Sequence, residues 1–243
     1  MLFRSLKVMM DVQNLIRYYD FDRVIVLSVE DGVSNAVLEF FGESKAVLTA
    51  KDEESGKKPS AFDNVNGGFY VGQGAVLSVF ESEKAIEKQG INPHAMLLGA
   101  YSASEASTNA IGQLEDGSGY TKAILGAMAQ AKVEKGDIGI VKTHGTGTAS
   151  NNVAEKNALM NNLTNFVATS YKQKIGHTMG TSGLLETMLL LDDIREGTIP
   201  AIENRTEDDP VFLSKSAAKR DGLILSLAAG MGNIYSAAIF KGL

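Results

Sequence analysis

The chain has 243 residues, 44% of them hydrophobic and 21% charged, with a formal net charge of −6. That length buries a sizeable core as one large domain or two small ones, the composition excludes global disorder, and the acidic balance argues against a general binder of nucleic acid or anionic membrane. There is no cysteine, which excludes a disulfide framework, a thiolate metal site and a cysteine nucleophile within these residues.

No run approaches the roughly 18 apolar residues that span a bilayer, and the N-terminus lacks the apolar core of a signal peptide, so a soluble, cytoplasmic protein is expected. Leu6, Val8, Met9, Met10, Val12, Leu15 and Ile16 recur at helical spacing up to Tyr19, and Arg23 to Val29 is a short apolar run suited to a buried strand. The chain thus opens in the middle of an element. A domain that starts inside a core helix is expected to be incomplete, and Met1 to Ser5 read as a leader joined to a truncated frame.

Val33 to Phe41 reads as another helix, and Ala50 to Ser60 is polar and loop-like. Ala61 to Gly74 carries four glycines within eight residues, which implies tight turns and close backbone approach. Ala75 to Phe80 then reads as a strand and Glu81 to Gln89 as a helix closed by Gly90, with Pro93 following. This punctuation suggests a boundary between residues 1–89 and 90–243. His94, in the connector, reads as a surface loop histidine.

Ala95 to Ala100 is strand-like, and Tyr101 to Ser118 is a Ser-, Ala-, Asn- and Gly-rich loop that either lines a substrate channel or makes a long surface excursion. Gly119 to Ala131 reads as a helix, Ile138 to Val141 as a buried strand, Val153 to Asn162 as a helix, Phe166 to Thr169 as a strand and Leu184 to Ile194 as a strongly apolar helix. Asp208-Asp209-Pro210 makes a turn. Leu223 to Leu227 and Ile234 to Phe240 close the chain as antiparallel strands joined by Ala228 to Asn233. The alternation predicts an α/β architecture, a mixed sheet covered by helices on both faces.

Two of the three histidines lie in glycine-punctuated stretches, each between a β-like run and a helix-like one: Thr143-His144-Gly145-Thr146-Gly147-Thr148, and Ser170 to Gly183 with His177. A phosphate-cradling loop is a weak reading because the required lysine and glycine spacing are missing after Gly147. A zinc site is weak too, because the two histidines have no clear third ligand. The better account is a pair of neutral imidazoles whose ring N–H groups point at one carbonyl oxygen and stabilise the oxyanion or enolate that develops there. Lys172 supplies a positive charge to such a cluster. Glu155 and Glu186, each by itself an exposed helix carboxylate, read beside the loops as its counter-charges.

These residues carry a resemblance. His144-Gly145-Thr146-Gly147-Thr148 with Glu155, and Ser170-x-Lys172-x-x-x-Gly176-His177-x-x-Gly180-x-x-Gly183 with Glu186, resemble the two histidine motifs of the β-ketoacyl-acyl-carrier-protein synthases, condensing enzymes of the thiolase fold. Pro59-x-x-Phe62-Asp63, Gly68-Phe69-x-Val71-Gly72-x-Gly74 and Asp22-x-Val24 are similar to further segments of that family. The resemblance implies a thiolase-like layered α/β fold, with residues 90–243 as a complete C-terminal half and residues 1–89 as the last part of the N-terminal half.

It also implies a decarboxylative Claisen condensation of acyl and malonyl thioesters, in fatty-acid or polyketide biosynthesis. His144 and His177 are then the catalytic pair, Lys172 their supporting lysine, Glu155, Glu186, Thr146 and Thr148 their supports, and no metal or cofactor is needed. An acidic acyl carrier protein is the implied partner, and the implied assembly is a homodimer or a ketosynthase heterodimer. Nucleic acid and membrane are not expected partners.

The family's nucleophilic cysteine is missing. Counting back from Asp22-x-Val24 puts its position at about Leu2, inside the suspected leader, so the chain is expected to be inactive in condensation by itself. Other departures are Asn151-Asn152 where the first motif usually continues Gly-Asp, and Gln73 in place of a glutamate. The stretch Ala229-Gly230-Met231-Gly232 stands where the family has an acyl-pocket gate loop with two phenylalanines, at the positions of Ala229 and Met231. The alternative reading is a non-catalytic partner subunit of the chain-length-factor type.

Overall fold

The amphipathic opening stretch becomes, in the computed structural model, a 3-10 turn at Ser5–Lys7 that runs into helix α1, Val8–Tyr18, which buries Met9, Val12 and Gln13. The structure describes residues 5–42, 47–105 and 113–243. Leu2, the position assigned to the missing nucleophile, lies outside them, as does most of the suspected leader.

Strand β1, Arg23–Glu30, is followed by helices α2, Asn35–Gly42, and α3, Ala50–Glu54. The polar composition of this last segment predicts a loop. It folds because Thr49 and Asp52 cap each other reciprocally, satisfying the first free N–H groups of a single turn. The glycine-rich stretch leads to strand β2, Gly74–Glu81, which returns antiparallel to β1 with Arg23 opposite Glu81 and Glu30 opposite Gly74. Helix α4, Glu83–Gln89, then starts on the Ser82 hydroxyl and stops at Gly90 in the left-handed region, φ +64°.

Strand β3, Ala95–Ser104, runs four residues beyond its expected end. Tyr101 to Ser104 had the composition of a loop, but they pair with Ala237 to Ile234, and the Ser102 hydroxyl meets that of Ser236 at 3.0 Å. Of the expected loop, residues 106–112 lie outside the described residues.

There follow α5, Ser118–Ala131; β4, Ile138–Lys142; α6, Ala149–Asn162; β5, Val167–Thr169; the short α7, Lys172–Ile175; and α8, Ser182–Arg195. A two-residue pair, β6 at Thr198–Ile199 and β7 at Ala217–Ala218, precedes the closing strands β8, Leu223–Gly230, and β9, Ile234–Gly242. Ala228, Ala229 and Gly230 therefore belong to a strand rather than to the expected Gly-rich turn, because they pair with Ser236, Tyr235 and Ile234. Only Met231 to Asn233 turn.

The main sheet has the order β3-β9-β8-β4-β5. Its β8, β4 and β5 are parallel, and β9 is antiparallel to both β8 and β3. Alternate residues of each strand face opposite ways. Val141, Leu225 and Leu227 join the core formed with α5 and α6, whereas Ile140 and Ile224 join the core formed with α1 and α8. Helices thus cover both faces.

The outer edge of β3 is capped by α1. A bulge at Leu98 turns its carbonyl out of the ladder, where it accepts from Gln13 Nε2 at 3.1 Å and from Arg17 Nη2 at 2.9 Å; the Ala100 N–H donates back to Gln13 Oε1 at 3.1 Å. One buried amide thus takes the place of a neighbouring strand.

β1 and β2 form a separate two-stranded sheet. Val26 is buried against the α1/α8 core, with Val24, Val76 and Phe80 beside it. On the other face Ile25, Leu27 and Val29 are 62%, 64% and 67% exposed, opposite Val79, Leu77 and Ala75. The expectation of a buried β1 is corrected accordingly: it is apolar on both faces but covered on one. Residues before 90 also enter the main core, because Phe62 stacks on Phe212 with ring centroids 4.2 Å apart.

Candidate functional site

Strand β4 is buried along its length and delivers Thr143 to the ladder's end, where both its N–H and its hydroxyl donate to the Thr169 carbonyl at 2.9 Å. The chain then reverses through Gly145 and Gly147, at φ +53° and +73°. Only a glycine fits at residue 147. A Cβ there would lie 1.8 Å from the Ser60 carbonyl oxygen.

Helix α6 returns Glu155 beneath this turn. Its Oε1 accepts the His144 N–H at 2.5 Å, and its Oε2 accepts the Gly145 N–H at 2.9 Å and Asn151 Nδ2 at 3.0 Å. Asn151 in turn accepts from the Tyr120 hydroxyl at 2.6 Å. Burial pushes the Glu155 carboxyl above its ordinary range, and the N–H donors from Gly145, His144 and Asn151 oppose that rise. Glu155 is therefore a buried clamp on the loop backbone, neither exposed nor ion-paired with Lys172. Thr146 and Thr148 share a hydroxyl hydrogen bond at 3.1 Å.

The second loop is seated by the glycine-rich stretch. The His177 N–H donates to the Tyr70 carbonyl at 2.7 Å, and the Gly72 N–H donates to the His177 carbonyl at 3.0 Å. The same stretch reaches the first loop, since the Gly68 N–H donates to the Gly147 carbonyl at 2.9 Å. The four glycines signalled turns in the sequence. That those turns hold both histidine loops was not legible.

The two imidazole centroids lie 5.7 Å apart with planes at 79°. His177 Nδ1 accepts the Met179 N–H at 3.1 Å, which leaves the proton of the neutral ring on Nε2. Met179 adopts φ +44° to do so. His144 Nδ1 is buried and has no hydrogen-bond partner among the described residues. A small cavity of about 20 Å³ lies against both rings, lined also by Leu6, Gly183, Ala229 and Gly230. Of the expected gate residues, Met231 and Gly232 are not among those lining it.

Behind the histidines, Glu186 is fully buried and receives Lys172 Nζ on both oxygens, at 2.7 and 3.0 Å, together with the Ser182 hydroxyl. It also receives Lys142 Nζ at 3.1 Å, and Lys142 makes a second bond to the Leu227 carbonyl at 2.7 Å. Burial alone would raise the Glu186 carboxyl, but Lys172 and Lys142 bring it down to about 2. Burial, then Lys172, lowers His177 to about 3, with Glu186 opposing and Lys142 adding to the effect. His144 is held well below its ordinary value by burial, Lys172, His177 and Lys142. Both rings are thus neutral donors in a positive field, an arrangement suited to negative charge developing on an oxygen.

The structure brings His144, His177, Lys172 and Glu186 together and leaves Glu155 to hold backbone. His94 is exposed and apart from them. Lys142, Asn151, Tyr120 and Ser182 were missed as members. The one signal for Lys142 was a lysine ending an apolar strand immediately before Thr143-His144.

Residues 94–206 match the family model described as the β-ketoacyl synthase C-terminal domain. The chain is 28% identical over 234 residues to the tetracenomycin polyketide synthase ketoacyl synthase alpha subunit of Streptomyces glaucescens, covering 93% of this chain and 54% of that one. It is 26% identical over 231 residues to 3-oxoacyl-[acyl-carrier-protein] synthase 2 of Staphylococcus aureus, covering 91% and 57%. The chain therefore spans little more than half the length of these relatives. Among solved structures, a type II polyketide synthase acyl-carrier protein in complex with its ketosynthase bound to the hexaketide superposes with TM-score 0.88 at 20% identity, covering 98% of this chain and 60% of that one. The layered α/β fold is that of the ketosynthases.

Proposed function

The chain belongs to the β-ketoacyl-acyl-carrier-protein synthase family, and from that premise we propose that His144 and His177 serve the decarboxylating half of a Claisen condensation in fatty-acid or polyketide biosynthesis. The observation that carries this reading is the pair itself: two neutral rings 5.7 Å apart beside one small cavity, backed by buried lysines. When a malonyl thioester loses its terminal carboxylate as carbon dioxide, the electrons of the broken C–C bond move into the thioester carbonyl. An enolate oxygen results. His177 donates from Nε2, the one ring nitrogen its neutral form has free to donate, and the charge stays on oxygen without a proton having to leave a cationic ring.

The enolate carbon then attacks an acyl thioester and expels its thiolate. With no cysteine in the 243 residues, a covalent acyl-enzyme step needs a thiol from outside them. In this reading residues 1–89 and 90–243 are parts of two ketosynthase halves, an acyl carrier protein delivers the thioesters, and the assembly is a dimer, homotypic or with a second ketosynthase-like subunit, in the cytoplasm. No helix among the described residues is long and apolar enough to cross a membrane.

Ala229 and Met231, standing where the resemblance implies the two phenylalanines of a gate loop, favour a second reading, a non-catalytic partner subunit of the chain-length-factor type. Carbon dioxide release from malonyl pantetheine separates the two. Under the first reading the chain releases carbon dioxide, forms no ketoacyl product, and loses the release by about a hundredfold or more in His144→Ala or His177→Ala. No release above background, or equal release in both variants, assigns the chain to the partner role.

A further inference from the structure

The motif lysine of the second loop is not the only cation behind the histidines. Lys142 is fully buried at the end of β4, two residues before His144, and reaches two elements at once: the Glu186 carboxylate on α8 and the Leu227 carbonyl on β8. Leu227 immediately precedes Ala228, Ala229 and Gly230, which line the histidine cavity. Lys142 therefore ties the strand that carries the first histidine loop to the cavity wall and to the carboxylate that holds the second loop's lysine.

Glu186 is the one carboxylate in contact with either ammonium among the described residues, and its oxygens are filled by Lys172, Lys142 and Ser182. Glu155, the other buried carboxylate beside the loops, bonds backbone N–H groups and Asn151 and acts on both lysines from farther off, so the cluster carries no net surplus as a whole. At the two rings the balance is local: Lys172 and Lys142 act together on His144 and His177, opposed at His177 by Glu186, and this favours negative charge beside the rings. The adjoining cavity of about 20 Å³ has space for about one water-sized group, such as a carboxylate oxygen, beside a His144 Nδ1 that has no partner among the described residues.

We propose that Lys142 is a positioning residue of the histidine site: together with Lys172 it sets a locally positive field at the two rings, so that the cavity selects ligands placing a carboxylate or enolate oxygen there over their neutral isosteres. This rests on the reading of the histidine pair as the ligand-facing groups. It adds a source of selectivity that neither histidine motif contains.

The test uses the full chain with isotope-labelled histidine, whose three imidazoles include the exposed His94 as an internal reference. Malonate and its neutral isostere malonamide are titrated at neutral pH while the His144 and His177 ring signals are followed. The expected result is a saturable malonate response at both rings and an at least tenfold weaker one to malonamide. Lys142→Gln keeps a donor for the Leu227 carbonyl without the charge and should weaken malonate at least tenfold, leaving malonamide unchanged; Lys142→Arg should restore malonate to within about threefold. Unaltered malonate binding in folded Lys142→Gln overturns the proposal. So does equal binding of malonate and malonamide by the unaltered chain, a result that stands even if Lys142→Gln fails to fold. Both of those outcomes leave the histidine reading intact. Silence of both rings toward both ligands overturns the proposal together with that reading.

Discussion

The two sheets are written in similar residues and meet different fates. In β8 the run Ile224-Leu225-Ser226-Leu227 is buried throughout, whereas β1, with Val24-Ile25-Val26-Leu27 at its centre, buries only Val26. The difference lies in what covers each strand. β8 sits between β9 and β4 with helices above and below, while the hairpin of β1 and β2 has the α1/α8 core on one face and nothing among the described residues against Ile25, Leu27, Val29, Leu77 and Val79. An apolar strand announces that it tolerates cover. It does not announce that cover is there.

The polar groups divide the same way. Beside the main sheet, Lys142, Lys172, Glu155 and Glu186 are buried and bonded to one another or to backbone. On the hairpin the charged pair of Arg23 and Glu81 is at the surface, where such bridges contribute little. Substitutions should therefore cost far more around the histidine loops than on the hairpin's bare face, and four measurements can break or sharpen that contrast.

The largest effect is expected of Gly147→Ala. Its Cβ meets backbone at Ser60 and Gly68 in a left-handed conformation, and neither segment can withdraw without moving a histidine loop. A loss of roughly 4 kcal/mol or more in urea unfolding is expected. A loss under about 1 kcal/mol would mean that the loops are not locked against the glycine-rich stretch.

Acid comes next. His177 is depressed to about 3 when folded and Glu186 to about 2, so between pH 6.5 and 3 for the histidine, and between 4.5 and 2 for the glutamate, the unfolded chain binds more protons than the folded one. Stability present at neutral pH should fall as the pH drops through those windows. The histidine accounts for about 3 kcal/mol once its full shift is discounted for the ring's partial exposure. His177→Asn should flatten the slope between pH 6.5 and 4.5, as read by unfolding at a series of pH values.

Gln13→Leu removes the amide that bonds Leu98 and Ala100 at the β3 edge, with about 2 kcal/mol lost in urea unfolding because buried backbone groups go unpaired. The smallest effect is expected on the hairpin. Leu27→Thr or Val79→Thr should change stability by no more than about 0.5 kcal/mol. A loss of 2 kcal/mol there would mean that this face is covered in solution.

Much of the site was legible because its chemistry is local. Gly145 and Gly147, or Gly176 and Gly180, stand at spacings that turn a chain sharply around a histidine, and strand-then-helix alternation frames both loops whatever they pack on. Gly90 likewise marks the end of α4, because a left-handed cap favours glycine in any context. Less legible were elements whose composition points one way and whose partners decide another. Tyr101 to Ser104 resemble loop until β9 pairs with them, and Ala228 to Gly230 resemble turn until β9 folds back along β8.

The sequence by itself determined the two histidine turns, the lysine and glutamates placed to serve them, the lack of a thiol, and the alternation of an α/β fold. Each is a property of residue type and spacing along the chain. Only the tertiary structure decided that Glu186 takes two lysines while Glu155 takes the backbone of a loop, that residues 68–72 seat both histidines, and that β8 is buried where β1 is half bare. Those outcomes depend on which groups meet across separations that run from 10 positions, for Glu155 and Gly145, to 85, for Lys142 and Leu227, and beyond that for His177 and Tyr70. Burial turns such meetings into fixed charge states: out of water an ionised group persists only where its partners stand, and no run of residues carries that information alone.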